Sequence, residues 1–144
     1  MDALIGNAFK TKTGMITLQE LLDNCSVLGV YFSAHWCPPC KAFTPVLAEF
    51  YNQANANGKK IEIIFGTCDK SESEFESYYN DMPWAAIPHG DAHISGMMQK
   101  FGITGIPHLM IMKKDGTVIV ENARNEVQSQ GPGIVTTWEQ KASS

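Results

Sequence analysis

The sequence predicts a single α/β domain in which a central mixed β-sheet is flanked by α-helices. Two apolar runs without alternation, residues 27–32 and 61–65, are typical of strands that are covered on both faces. A long helical stripe separates these runs, so we expect them to pair in parallel through a right-handed crossover. Near the end of the chain, Asp115-Gly116 joins two more apolar runs by a hairpin turn, which adds an antiparallel pair.

Composition restricts the class of protein. The 144 residues suffice for one domain with a sizeable core. The 11 basic and 15 acidic residues give a net charge of −4 without a long run of either sign, so no nucleic-acid partner is expected. No apolar stretch approaches the roughly 18 residues of a membrane span, and residues 1–7 lack the basic and apolar regions of a signal peptide. We therefore expect a cytoplasmic protein, or one that is also nuclear, with no membrane partner.

The first half of the chain alternates helices and strands. Residues 1–14 are expected to form an N-terminal extension of the domain. Thr17-x-x-Glu20 has the spacing of a capping box and opens a short helix before the first apolar run. After that run, apolar residues recur at helical spacing over residues 43–54, and Pro45 within this pattern predicts a kink.

The second half contains two more helices and two more strands, which we place at residues 71–80, 92–101, 108–112 and 117–121. Ser71 has the spacing of an N-cap, and Gly102 follows the next helix as its C-terminal stop. The C-terminal tail, residues 125–144, either packs on the domain or is partly disordered. Trp138 is the residue that could anchor a terminal turn or helix. The single domain therefore spans residues 1–144.

The strongest chemical signal is the WCPPC motif at residues 36–40. Its two cysteines lie three positions apart between a predicted strand and a predicted helix, so both sulfurs can meet at the first turn of that helix. Free N–H groups and the positive end of the helix dipole stabilise a thiolate there. Because Pro38 and Pro39 have no N–H, the Cys40 amide is the expected donor to the Cys37 sulfur. We predict that Cys37 is the nucleophile and that Cys40, one turn further in and more buried, is the resolving thiol of a redox-active disulfide.

A zinc site is the alternative, because C-x₂-C spacing also suits this metal. Two further ligands at suitable spacing would be needed, yet Cys25 and Cys68 are isolated in the sequence, and His89-x₃-His93 is the one suitable histidine spacing. The two prolines and the position of the motif between a strand and a helix favour redox chemistry, so no metal is expected.

Further residues are expected to surround the two sulfurs. Ile106-Pro107 precedes a strand, and a cis peptide there would present the Ile106 backbone to a substrate strand; an ordinary proline at a strand entry is the alternative. Trp36 and Trp84 are candidates for an apolar rim, with core packing as the alternative for each. The predicted site wall consists of Trp36, Pro38, Pro39, Trp84, Ile106 and Pro107.

Three sequence blocks together resemble the thioredoxin superfamily, and within it the tryparedoxin/nucleoredoxin branch. They are YFSAHWCPPCKAFTP at residues 31–45, MPWAAIP at residues 82–88 and GIP at residues 105–107. Their spacing fits and the match covers most of residues 4–124, whereas ordinary thioredoxins have WCGPC and lack the MPW block. The resemblance implies the thioredoxin fold, a cis Pro107, and an oxidoreductase of the protein-disulfide reductase type with no bound cofactor.

The resemblance also implies partners. These are disulfide-containing protein substrates and an external thiol reductant, which is a low-molecular-weight dithiol for tryparedoxin-like proteins and a reductase protein for nucleoredoxin-like ones. Such an enzyme contributes to cell redox homeostasis. Nucleoredoxin-like proteins also suggest an alternative function, a redox-gated binding or regulatory module in which the state of the dithiol controls the affinity for a partner protein.

The chain departs from the ordinary thioredoxin pattern at the group that would accept the Cys40 proton. Tyr31 stands at the position of a buried acid, as it does in the tryparedoxin/nucleoredoxin branch. Proton transfer then needs another group or water, and Glu74 and Glu76 are candidates, with a solvated helix face as the alternative for both.

Three other residues have two interpretations each. Cys68 stands where many relatives carry a tryptophan; we expect a small buried strand-end residue, with a third reactive thiol as the alternative. Cys25 is expected to be a buried or helix-end thiol. His108 follows Pro107, where a threonine is common, and we expect a surface or hydrogen-bonded histidine rather than one that sets the Cys37 pKa.

Overall fold

The computed structural model describes residues 2–143, which form a seven-stranded sheet and the helices that pack on it. The strands are β1 (Ala8–Thr11), β2 (Gly14–Thr17), β3 (Val27–Ser33), β4 (Ile61–Thr67), β5 (Ala85–Ala86), β6 (His108–Met112) and β7 (Val118–Val120). The helices are α1 (Asp2–Ile5), α2 (Leu18–Asp23), α3 (Pro38–Ala54), α4 (Glu72–Tyr79), α5 (Ala92–Lys100), α6 (Arg124–Gln130) and α7 (Ile134–Ala142). No helix within residues 2–143 combines the length and the apolar character needed to cross a membrane.

The sheet is mixed, with the strand order β2-β1-β5-β4-β3-β6-β7. β3, β4 and β5 are parallel, and α3 and α4 form the two crossovers between them. β6 runs antiparallel to β3, and β7 runs antiparallel to β6. The prediction of parallel strands followed by an antiparallel hairpin is confirmed, and β3 lies inside the sheet with a partner on each side.

β3 is covered on both of its faces, which explains why its sequence shows no alternation. Val27 and Tyr31 belong to one hydrophobic cluster, together with residues of α3, α4, α6 and α7. Leu28, Val30 and Phe32 point to the other face and belong to a second cluster, together with residues of α1, α2 and α5. Alternate residues of a strand face opposite sides, so two buried faces give a continuous apolar run.

The helix ends follow the predicted signals. Thr17 and Glu20 form a capping box at the start of α2, where Glu20 N donates to Thr17 Oγ1 at 3.2 Å and Thr17 N donates to Glu20 Oε1 at 3.1 Å. Ser71 Oγ accepts a hydrogen bond from Glu74 N at 3.2 Å at the start of α4. Gly102 follows α5 with a φ of 64°, a left-handed conformation that favours glycine.

α3 is the helix that follows the dithiol. It begins at Pro38 and continues as one element through Pro45 to Ala54. The apolar stripe predicted for residues 43–54 is the buried face of this helix except at Val46, which is 42% exposed. The kink predicted at Pro45 stays a prediction.

The N-terminal segment, which was predicted as an extension over residues 1–14, contributes a hairpin to the sheet. β1 and β2 form an antiparallel hairpin, and β1 joins the sheet through the pairing of Lys10 with Ala86 of β5. Ile5 and Phe9 are fully buried in the second cluster. These residues therefore belong to the core of the domain.

The C-terminal segment forms α6 and α7, which cover one face of the sheet. Trp138 of α7 is fully buried, its ring lies 5.7 Å from that of Phe50 in α3, and its Nε1 donates to Glu126 Oε2 at 3.0 Å. The prediction that Trp138 anchors a terminal helix is confirmed. The sequence prediction left a partly disordered tail as an alternative, whereas the structure has helices through Ala142.

Candidate active site

The two cysteines of the motif lie where β3 ends and α3 begins. Cys37 is the N-cap residue of α3, and its Sγ accepts a hydrogen bond from the Cys40 amide at 3.4 Å. Pro38 and Pro39 occupy the first positions of the helix and have no N–H to offer. The predicted donor to the Cys37 sulfur is therefore confirmed, and this sulfur lies at the positive end of the helix dipole.

The two thiols differ in burial, and burial affects the ionisation of Cys40. Cys37 is 6% exposed and Cys40 is fully buried, as predicted. Burial raises the pKa of Cys40 to about 11, and its hydrogen bond with Cys37 raises that pKa as well. Cys40 is therefore protonated at neutral pH, and Cys37 is the more accessible of the two sulfurs.

Ile106 and Pro107 lie directly against the dithiol. The Ile106–Pro107 peptide bond is cis, as the resemblance implied. The Cys37 Sγ donates to the Ile106 carbonyl oxygen at 3.8 Å, and the Ile106 side chain packs against Ala34, Cys37 and Cys40. An open groove of about 320 Å³ runs along residues 102–108 beside this contact.

The residues predicted to wall the site fall into two groups. Trp36 is 54% exposed, and Pro38 and Pro39 are also exposed, so these three form a surface around Cys37. Of the two alternatives for Trp84, the rim is wrong and core packing is confirmed, since Trp84 is 2% exposed and its ring packs edge-on against Tyr31 at 5.9 Å. Trp84 belongs to the interior cluster between the sheet and α3, where a substrate cannot reach it.

Neither glutamate candidate lies against Cys40. Glu74 Oε1 accepts from Ser71 Oγ at 3.0 Å at the start of α4, and Glu76 Oε1 forms an exposed ion pair with Lys10 Nζ at 3.3 Å. These two carboxylates therefore have other partners, and their assignment to proton transfer from Cys40 is not supported by their positions.

Sequence analysis missed a set of buried hydroxyl groups beside Cys40. Tyr31 Oη and Thr44 Oγ1 are 2.7 Å apart, Thr44 Oγ1 and Tyr78 Oη are 2.5 Å apart, and Tyr78 Oη and Ser33 Oγ are 2.7 Å apart. Thr44 also donates to the Cys40 carbonyl oxygen at 2.9 Å. Helical spacing from Cys40 could have identified Thr44 one turn further on, but no sequence signal brings Ser33 and Tyr78 to the same place.

The other two cysteines differ in location. Cys68 is half-buried and packs against the pair of Cys37 and Cys40, with its Sγ 3.8 Å from Met98 Sδ. Burial raises its pKa to about 11. Cys25 is buried just before the opposite end of β3, and burial also raises its pKa to about 11.

Three of the four histidines have side-chain hydrogen-bond partners. His89 Nε2 lies 3.1 Å from the Asp69 carbonyl oxygen, and His93 Nδ1 lies 2.6 Å from Asp91 Oδ1. His108 Nε2 lies 2.7 Å from the Glu121 carbonyl oxygen, and burial lowers the pKa of His108. In the part of the chain from residue 2 to residue 143, no three or more His, Cys, Asp or Glu residues are grouped as metal ligands.

Comparison with known proteins gives the family. A family model described as thioredoxin-like matches residues 24–118. Nucleoredoxin of Danio rerio is 45% identical over 103 residues, which are 71% of this chain and 25% of that protein. The chain thus spans about a quarter of the length of this relative.

Solved structures of similar proteins match over most of the chain. Tryparedoxin from Trypanosoma brucei superimposes with a TM-score of 0.83 at 36% identity, covering 92% of this chain and 91% of that one. A tryparedoxin II complexed with glutathionylspermidine gives a TM-score of 0.77 at 33% identity, with 89% and 88% of the two chains covered. The thioredoxin fold predicted from the motifs is confirmed. The chain belongs to the thioredoxin-like family, and its homologues there include the nucleoredoxins and tryparedoxins.

Proposed function

We propose that the chain is a thiol–disulfide oxidoreductase that reduces protein disulfides, with Cys37 as the nucleophile and Cys40 as the resolving thiol. The observation that supports this best is the hydrogen bond from the Cys40 amide to the Cys37 sulfur at the start of α3. A negative charge on this sulfur is stabilised by that amide and by the helix dipole, and the thiolate is the species that attacks a disulfide.

The reaction consists of two exchanges. The Cys37 thiolate attacks one sulfur of the substrate, the substrate S–S bond breaks, and the released thiolate takes up a proton. Cys40 then attacks Cys37 Sγ in the mixed disulfide, so that a Cys37–Cys40 bond forms and the second substrate thiol leaves. Two electrons have passed to the substrate, and an external thiol reductant restores the dithiol.

Substrate recognition is proposed to use the exposed surface around Cys37. Trp36 offers a large apolar ring, and the Ile106 backbone beside the cis peptide offers an edge for an extended substrate segment. The exposed rings of Pro38 and Pro39 border the same sulfur without competing for the backbone hydrogen bonds of that segment.

Two sources of reducing equivalents fit the proposal. The tryparedoxin II structure that this chain resembles contains glutathionylspermidine, which favours a low-molecular-weight thiol, whereas the likeness to nucleoredoxin favours a reductase protein. A dithiol that has to be regenerated by thiols functions in a reducing compartment, so we place the reaction in the cytosol or nucleus.

The two cysteine variants test this function. Cys37→Ser should lower the reduction of insulin disulfides to the uncatalysed background, because serine cannot form the mixed disulfide. Cys40→Ser keeps the amide that donates to Cys37 and should accumulate a mixed disulfide, visible as a mass increase that dithiothreitol removes. Cys25→Ser, at the other end of β3, is the matched control and should retain activity. Full activity of Cys37→Ser would contradict the proposal.

The exposed Trp36 beside Cys37 gives some support to a second candidate, a redox-gated binding module. In this function, formation of the Cys37–Cys40 disulfide changes the affinity of the surrounding surface for a partner protein, and turnover is incidental. Pull-downs with the oxidised and the reduced protein distinguish the two candidates. Equal capture of partners in both states would count against gating.

A further inference from the structure

The buried hydroxyl groups beside Cys40 form a chain whose donors and acceptors can be assigned. Each hydroxyl has one proton to donate. Thr44 uses its proton on the Cys40 carbonyl oxygen, so the tyrosine hydroxyls that lie 2.7 and 2.5 Å from Thr44 Oγ1 must both donate to it. These hydroxyls belong to Tyr31 and Tyr78, and neither has a second proton.

The assignment leaves Ser33 as an acceptor toward Cys40. Because the Tyr78 proton is used on Thr44, the 2.7 Å contact between Ser33 Oγ and Tyr78 Oη requires Ser33 to donate to Tyr78. The lone pairs of Ser33 Oγ then remain for a donor. A side-chain hydrogen bond of Ser33 lowers the Cys40 pKa, which is the effect of a donor to the thiolate. In the reduced protein the lone pairs of Ser33 Oγ are the ones left for the Cys40 thiol.

Ionisation of Cys40 reverses the direction of two of these hydrogen bonds. The thiolate no longer donates, and it is an acceptor for which the Ser33 O–H is in reach. Ser33 can turn its proton from Tyr78 to the sulfur, and Tyr78 can turn its proton from Thr44 to Ser33 Oγ. Tyr31 and the Thr44 bond to the Cys40 carbonyl are unchanged by this reversal. A hydrogen bond to a charged acceptor is stronger than the neutral ones that it replaces.

Because the surroundings of Cys40 disfavour its thiolate, a hydrogen bond from the Ser33 hydroxyl has a large effect on that thiolate. Ser33 and Cys40 are fully buried, and burial disfavours the thiolate. The ionisable groups that interact with Cys40 are Cys37 on its own helix and Tyr78 on α4, and neither supplies a positive charge. His35, Lys41 and Asp81 line a groove of about 330 Å³ with Thr44 and Tyr78, beyond the hydroxyl chain.

We propose that Ser33 is a catalytic residue of the second exchange, in which its hydroxyl turns from Tyr78 to donate a hydrogen bond to the Cys40 thiolate. This inference rests on the proposed function, since it concerns the step in which Cys40 resolves the mixed disulfide. In that step the Cys40 thiolate forms a bond to Cys37 Sγ, the bond from Cys37 to the substrate sulfur breaks, and the substrate leaves as a thiolate. Cys40 loses one proton and the departing substrate thiolate gains one, so the step is balanced in protons.

The two exchanges can be followed separately in one experiment. The parent chain carries Cys25→Ala and Cys68→Ala, so that Cys37 and Cys40 are its only thiols, and it reacts with one equivalent of dithiobis(nitrobenzoate). Attack by Cys37 releases the first thionitrobenzoate, and attack by Cys40 on the mixed disulfide releases the second. The rate of each release is measured from the absorbance between pH 6 and pH 11.

Ser33→Ala should change the second release alone. Loss of the hydroxyl is expected to raise the Cys40 pKa by about one, which makes the thiolate tenfold scarcer at neutral pH. The more basic thiolate is about threefold more nucleophilic, so the second release should slow by about threefold to fourfold at neutral pH, and its pH profile should shift upward. The first release should keep its rate, which also shows that the start of α3 is intact.

Two variants act as controls. Tyr31→Phe removes a buried hydroxyl of the same chain that contacts Thr44 and not Ser33, so it should slow the second release less than Ser33→Ala does. Ser33→Thr keeps a hydroxyl at position 33 and should restore the parent profile. If the second release of Ser33→Ala matches the parent at every pH, the role of Ser33 is excluded while the proposed function stands. If the parent itself releases only one equivalent, the proposed function fails and this inference fails with it.

Discussion

Burial keeps Cys25 protonated, and this protonation connects a single residue to the stability of the fold. Cys25 is 6% exposed, and burial followed by the nearby Glu62 carboxylate raises its pKa from 9.0 to about 11. The folded state therefore binds more protons at this site than the unfolded state does. The free energy of unfolding must fall as pH rises, and it falls between the unfolded pKa of 9.0 and the folded pKa of about 11.

We expect Cys25→Ala to be less sensitive to alkaline pH than the natural sequence. Between pH 8 and pH 10.5 the natural sequence should lose on the order of 1 kcal/mol more stability than the variant, measured by urea unfolding under reducing conditions. The effect of the substitution on stability at a single pH cancels, because the loss is measured within each protein between the two pH values. The buried tyrosines lose stability in the same direction in both proteins. An equal loss in both would contradict a raised pKa at Cys25.

The residues of the site differ in how far the sequence could predict them. Local spacing places Cys37 and Cys40 at one helix start, and the amide contact follows from the prolines between them. Ser33 and Tyr78 lie 45 positions apart, and they meet because α4 packs on the same face of the sheet as α3. Trp84 could not be assigned to rim or interior from the sequence, since an aromatic residue beside a short strand suits both.

At the scale of elements, the N-terminal hairpin should contribute to the core, and Phe9 tests this. Phe9→Ala removes a fully buried ring from the second cluster and should lower the free energy of unfolding by about 3–5 kcal/mol. Met15→Ala lies on the neighbouring strand of the same hairpin and is 59% exposed, so it should change stability by about 0.5 kcal/mol or less. Urea unfolding measures both. Comparable small effects would mean that the hairpin is a separate extension.

The hairpin also shows where sequence patterns are weak. β1 and β2 have four residues each, and of these eight residues Phe9 is the one that is fully buried. A strand with one solvated face carries polar residues such as Lys10 and Thr11 of β1, so little apolar periodicity remains to predict it. The central strands β3 and β4 have seven buried residues each, so their largely apolar runs predict them directly.

For the whole molecule, α6 and α7 complete the cover of one face of the sheet, and Trp138 connects them to α3. Trp138→Ala should lower the free energy of unfolding by about 3–5 kcal/mol, since it removes a fully buried ring beside Phe50 and leaves Glu126 without its donor. Trp36→Ala is the same substitution at a ring that is 54% exposed, and its effect on stability should be about 0.5 kcal/mol or less. Thermal unfolding of the two variants makes the comparison. If Trp138→Ala is as mild as Trp36→Ala, the C-terminal helices are not part of the cooperative unit.

The sequence predicted the parallel strands and the final hairpin, but it left the last 20 residues open. Their apolar residues are few and widely spaced, and the burial of Trp138 depends on a surface that α3 and the sheet supply together. Such long-range packing leaves no local pattern in the sequence.

The N-cap of α3 has a consequence for how the protein can be observed. The sulfur that we propose forms covalent bonds with substrate is also the acceptor for the Cys40 amide proton. Every change in the charge or bonding of the Cys37 sulfur therefore alters the magnetic environment of one backbone proton. A ¹⁵N-labelled sample should report the thiolate, the mixed disulfide and the internal disulfide as three distinct positions of a single resonance, without any dye or tag attached to the protein.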